Sequence, residues 1–188
     1  ATGYAGDQTG YKGLKAGGHS GHRGEHAGHS GGVEVNADAK ALFGALPPKI
    51  QEQAAANGLK SVSVVEEKGM NSGMGTIPRE GYETVGAYKQ SEGQLFVLKR
   101  NPSDMKGTMS HEVAHVLDKR GADGKLSLSE SPEWLAATGW QKKGASNLPK
   151  GYERYMLRSS KGVVSEYAKR APWEDFAETF KVAIGGTP

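Results

Sequence analysis

Cysteine is absent from this chain of 188 residues. That excludes a disulfide framework and any thiolate metal site; it permits export without requiring it. No apolar run is long enough to span a membrane. No single sign of charge dominates either. The formal net charge is +3, and the basic residues fall in scattered pairs such as Lys119-Arg120, Lys142-Lys143 and Lys169-Arg170, mostly with acids not far off. These read as solvated faces, so no nucleic-acid partner is expected. A hydrophobic fraction of 36% suits one domain, or one domain with a tail, and a monomer is favoured. No signal peptide is visible, and the chain opens at Ala1, as either a mature form freed from a leader or a merely trimmed chain would. The expected location is secreted or extracellular, with delivery into other cells as an effector or toxin as the alternative.

The segment that carries chemistry is His111-Glu112-Val113-Ala114-His115. Residues four apart lie on one helix face, one turn from each other. Two imidazoles there reach a single zinc ion at about 2.0–2.1 Å. Glu112 sits beside the first histidine, in reach of a metal-bound water as general base. From Thr108 to Leu117 the only other ionisable groups are the two histidines, as suits a buried active-site helix.

Residues 1–32 stand apart as a tail or linker rich in glycine and histidine and poor in aliphatics. Such composition buries too little apolar surface to offset its ordering entropy. Its four histidines, His19, His22, His26 and His29, are candidates for weak metal capture. Globular patterning covers residues 33–188. Asn36 caps an expected helix through Leu46, Pro48 opens a second ending at Gly58, and residues 61–65 alternate as a strand. Residues 69–81 read as a loop able to cover a cleft. Residues 84–89 and 94–99 form two more strands around a turn at Ser91-Glu92-Gly93, and residues 95–99 are a candidate edge for pairing with an extended peptide. Gly121 stops the histidine helix, and Ser131-Pro132 starts another. Trp134, Leu135 and Trp140 are core or cleft wall. Residues 142–162 read as irregular, and helical pieces follow at 165–169 and 172–184. Helices, then three strands, then helices indicate an α+β domain.

A catalytic zinc usually has three protein ligands and water. No histidine follows His115, and position 121, where a third histidine would extend the motif, is glycine. The remaining ligand is then a carboxylate or an upstream imidazole. Asp118, Asp123, Glu130, Glu133, Glu153, Glu166, Glu174, Asp175 and Glu178 are available, and Asp118 converges poorly from the same helix. Glu174 is the best placed. Pro172 opens its helix, and Glu174 and Glu178 share a face four residues apart. One of them can bind metal while the other hydrogen-bonds a ligand histidine. For Asp175, attraction to the positive helix end is sufficient explanation.

Ser165-Glu166-Tyr167-Ala168, followed by Pro172-Trp173-Glu174-Asp175-Phe176-Ala177-Glu178, resembles the end of the active site in the anthrax lethal factor catalytic domain and the secreted Pro-Pro endopeptidases. The resemblance covers residues 108–121 and 165–180, and extends to the strand–helix order between 60 and 120. It implies a zincin-like metallopeptidase domain: a small mixed sheet packed on the active-site helix, with a C-terminal helical part. It also implies zinc held by His111, His115 and Glu174, Glu112 as base, Glu178 as partner of a ligand histidine, and Tyr167 supporting the transition state. The family's substrate-binding positions find no counterpart, so proline specificity does not carry over. The expected activity is zinc-dependent hydrolysis of protein or peptide substrates. A zinc-binding domain without turnover is the rival reading, and for Tyr167 the rival is a core residue with its hydroxyl at the rim.

Overall fold

A computed structural model describes residues 32–74, 83–118, 127–143, 154–159 and 162–185. The α+β class holds. A four-stranded mixed sheet packs on the histidine helix, and a C-terminal helix carries Glu174. Strand β1 (Glu34–Val35) is followed by α1 (Ala37–Gly44), α2 (Pro48–Ala56) and β2 (Ser61–Val65). Then come α3 (Glu67–Met74), β3 (Gly86–Lys89), β4 (Gln94–Leu98) and α4 (Pro102–Leu117). The sheet order is β1-β2-β4-β3, antiparallel only between β3 and β4.

Alternation in Ser61-Val62-Ser63-Val64 sends Val62 and Val64 into the core with Leu95 and Val97 of β4. Phe43, Met109, Val113 and Val116 meet them from α1 and α4. Asn36 holds this layer at one point. Its Oδ1 accepts from the Ala39 and Val64 amides at 3.0 and 3.1 Å, while its Nδ2 donates to the Val64 carbonyl at 2.9 Å. It therefore caps α1 and fastens it to β2.

The sheet differs from expectation in three places. Strand β4 lies between β2 and β3, so residues 95–99 present no free edge; among the described residues β1 and β3 are the outer strands. The first part of the expected loop at 69–81 is helix α3, which covers the other sheet face through Met70, packed with Val65, Ala87, Phe96 and Leu98. Its glycines disguise it, because they lower helix propensity. Yet they allow the close approach: a Cβ on Gly73 would sit 2.9 Å from Cε1 of the Phe96 ring. The rest of the 69–81 segment, from 75 on, lies outside the described residues, as do Gly121 and the tail with His19, His22, His26 and His29. Finally, residues 142–162 are not wholly irregular. Helix α5 (Pro132–Thr138) stops at Gly139, whose φ of 80° favours glycine. Strand β5 (Trp140–Lys143) then pairs antiparallel with β6 (Arg154–Leu157).

Helix α4 starts as its sequence requires, with Pro102 in the first turn and the Asn101 side chain accepting from the Asp104 amide at 3.0 Å. Its end is held by distant groups. Asn57 Nδ2 donates to the Val116 and Leu117 carbonyls at 3.0 and 3.2 Å. Asp118 is buried and accepts from both the amide and the hydroxyl of Ser129 at 2.6 Å. Burial outweighs those bonds and raises the Asp118 pKa to about 6. Asp118 is thus committed to a structural contact and does not join the metal group.

Candidate metal centre

Helix α4 brings His111 and His115 to one face, and α6 (Pro172–Ala183) packs against that face. His111 Nε2 and His115 Nε2 lie 3.1 Å apart. Glu174 Oε2 stands 3.1 Å from the first and 3.4 Å from the second. His111 Nδ1 faces Glu178 Oε1 at 2.8 Å. When that nitrogen donates to the carboxylate, the Nε2 of a neutral ring carries only a lone pair. His111 Nε2, His115 Nε2 and Glu174 Oε2 then bring lone-pair atoms together, and buried Glu174 Oε2 has no hydrogen-bond partner outside this group. Such an arrangement is repulsive unless a cation or proton occupies the centre.

The spacing fits a metal. Tetrahedral bonds of about 2.0–2.1 Å place ligand atoms roughly 3.3–3.4 Å apart. The observed separations of 3.1, 3.1 and 3.4 Å are close to that. Among the described residues, His111, His115 and Glu174 are the group of this kind able to hold a metal ion.

Glu178, Glu112 and Tyr167 surround these three residues. Glu178 is buried and accepts from Lys181 Nζ at 3.1 Å and from the Ser165 side chain. Glu112 is 8% exposed, and burial raises its pKa against the opposing pull of His115 and His111. Tyr167 is 41% exposed, with its ring 5.6 Å from that of His111. It precedes a 3-10 turn (Ala168–Arg170) in place of the helix expected at 165–169, and Arg170 lies 4.4 Å over its ring. Burial, reinforced by Glu174, pushes the Tyr167 hydroxyl up to about 12 despite Arg170. Arg170 also lines a cavity of about 330 Å³ with Lys143, Tyr155 and Trp173 at the start of α6.

Two assignments read from the sequence change in detail. Asp175 does more than complement a helix dipole: it is buried and accepts from Trp140 Nε1 at 2.9 Å, pinning β5 to α6. Trp140 is core, whereas Trp134 and Leu135 are half-buried, with Trp134 edge-on to Phe176 at 5.1 Å. The Trp140–Asp175 pair and the Ser165 bond to Glu178 had no sequence signal, because each joins residues through tertiary packing or loop geometry, whereas the Lys181 bond to Glu178 follows from i,i+3 spacing on α6.

Burial pushes the His111 pKa down, but hydrogen bonds to Glu174 and Glu178 outweigh it and lift it to about 9. Burial acts upward on Glu174 and Glu178, and their bonds to His111 overcome it, bringing both to about 2. The two carboxylates therefore favour the fold fully above their ordinary 4.5, and this is lost as pH falls towards 2. His111 favours the fold fully below its ordinary 6.5, and this is lost as pH rises to about 9. The metal-free centre thus contributes most between pH 4.5 and 6.5. A metal must displace the His111 proton, so uptake at neutral pH is expected to release about one proton. Calorimetric titration in buffers of different ionisation enthalpy measures this; heats independent of buffer would remove His111 from the ligand set.

A helix bearing His111 and His115 with a distal Glu174 fits a zincin-like site. No helix among the described residues is long and apolar enough to cross a membrane. Comparison with protein-family models, with characterised proteins and with solved structures finds no match to this chain.

Proposed function

We propose that this protein is a zinc-dependent endopeptidase of the zincin type. The observation that carries this reading is the convergence of His111, His115 and Glu174 lone pairs at metal-ligand spacing, with Glu112 buried on the same helix. Two imidazoles and one carboxylate are a donor set suited to zinc, and three protein ligands rather than four are typical of catalytic sites. When bound, zinc supplies Lewis acidity, acidifying a coordinated water and polarising a carbonyl.

Two of the chain's own groups suit the proton transfers of hydrolysis. Glu112 takes the water proton on its carboxylate and delivers it to the leaving amine. Its raised pKa makes it a stronger base than a solvated glutamate. Tyr167, with its hydroxyl at about 12, stays protonated at neutral pH and serves as a donor to the developing oxyanion. Outer strand β3, not β4, is the edge suited to pairing with an extended peptide near the metal ligands.

The direct test is cleavage of a diverse peptide library by zinc-loaded protein. Internal peptide bonds are expected to be cut, with activity lost to a chelator and restored by zinc. No cleavage by protein carrying one zinc per chain would leave a binding domain without turnover. Tyr167→Phe is expected to keep fold and zinc and to lower kcat by about 10²–10³-fold, the usual loss for one oxyanion donor. An unchanged kcat would return Tyr167 to a packing role at the rim.

A further inference from the structure

Gly86 opens strand β3 at the edge of the sheet, paired with Val97 of β4, and α4 packs against this strand. A Cβ on Gly86 would lie 2.4 Å from Thr108 Cγ2, 2.7 Å from Glu112 Oε1 and 2.9 Å from Glu112 Cγ. Ordinary carbon contacts begin near 3.5 Å. Gly86 is not among the glycines with positive φ, so its backbone would accept any residue. Glycine is required here for space alone. By contrast, a Cβ on Gly44 would meet nothing within 4 Å.

We propose that Gly86 is a positioning residue for Glu112: the bare backbone of the edge strand forms the wall that sets where the carboxylate lies. This rests on the peptidase reading for its consequence in catalysis. A Cβ at position 86 would meet both the carboxylate oxygen and the Cγ, so the space that glycine leaves is filled by the Glu112 side chain along its length. A methyl group at position 86 displaces the base while leaving His111, His115 and Glu174 untouched. The same strand is the sheet edge, so one backbone element locates the base relative to any peptide paired along it.

Thr108→Ser isolates the effect, because it deletes the Cγ2 that would otherwise also collide. Thr108→Ser alone is expected to match wild type in zinc content and kcat. Adding Gly86→Ala is expected to keep one zinc per chain and KM within about twofold, while kcat falls about tenfold or more, since a misplacement near 1 Å costs up to about 10²-fold. A wild-type kcat in that double variant overturns the proposal.

A second readout does not need turnover. In metal-free protein with Thr108→Ser, Gly86→Ala is expected to lower the denaturation midpoint, and Glu112→Ala to remove most of that loss, because it deletes both atoms in conflict. Additive midpoint shifts overturn the proposal. If Gly86→Ala prevents folding, recovery of folded protein in the triple variant supports it and failure to recover overturns it. Coupling between positions 86 and 112 in a protein that cleaves no peptide would sustain the steric contact and reject the peptidase reading.

Discussion

Glu112→Gln is expected to retain one zinc per chain and to lower kcat by about 10²–10⁴-fold, the usual contribution of a positioned base. Glutamine is close in size and shape, so the contacts with Gly86 and the α4 core persist. The proposed ligand atoms are elsewhere, on His111, His115 and Glu174. What disappears is the ability to accept a proton. Glu112 is buried beside two histidines, so truncation to alanine would also open space in the helix face; glutamine avoids that confusion. Single-turnover kinetics with zinc content measured on the same samples checks the expectation. Retained turnover would place the base elsewhere. Loss of zinc with loss of turnover would mean that Glu112 acts through the metal site.

Replacing His111, His115 or Glu174 with alanine is expected to weaken zinc binding by well over 100-fold. Removal of a hydrogen-bond partner behind a ligand typically costs about 10–100-fold, and loss of a direct ligand exceeds that. Glu178→Gln marks the lower range, because it alters the 2.8 Å contact that orients His111 without removing a ligand atom. Competition titration against a chelator of known affinity gives the order, with circular dichroism as the check on folding. Equal zinc affinity in His115→Ala and wild type would reject the site. Glu178→Gln as damaging as Glu174→Ala would instead make Glu178 a ligand, and the roles of the two α6 carboxylates would exchange.

Some of this molecule was legible in the chain because the physics is local. Four-residue spacing puts His111 and His115 on one helix face whatever surrounds them. Pro102 after Asn101, and Pro132 after Ser131, start helices by backbone restriction and capping, and the alternation of residues 61–65 marks a strand. The same spacing places Glu174 and Glu178 together on α6, but local rules do not say which one meets the metal position. That choice depends on how α6 crosses α4, with Glu174 Oε2 facing both Nε2 atoms and Glu178 behind His111 at Nδ1. Helix α3 forms against its propensity because Met70 has a sheet face to cover, a surface created only when β2 and β4 pair. Strand β4 became interior because β2 and β3 flank it, and sheet order is set by long-range pairing that alternation cannot encode. Asp118, Asp175 and Gly86 have their roles for the same reason: Ser129, Trp140 and Glu112 reach them only through tertiary contact. The sequence by itself determined which residue types could do the chemistry; only the packing of α6 and β3 on α4 decided their partners, because hydrogen bonds and steric contacts act over a few ångströms of space and not along the chain.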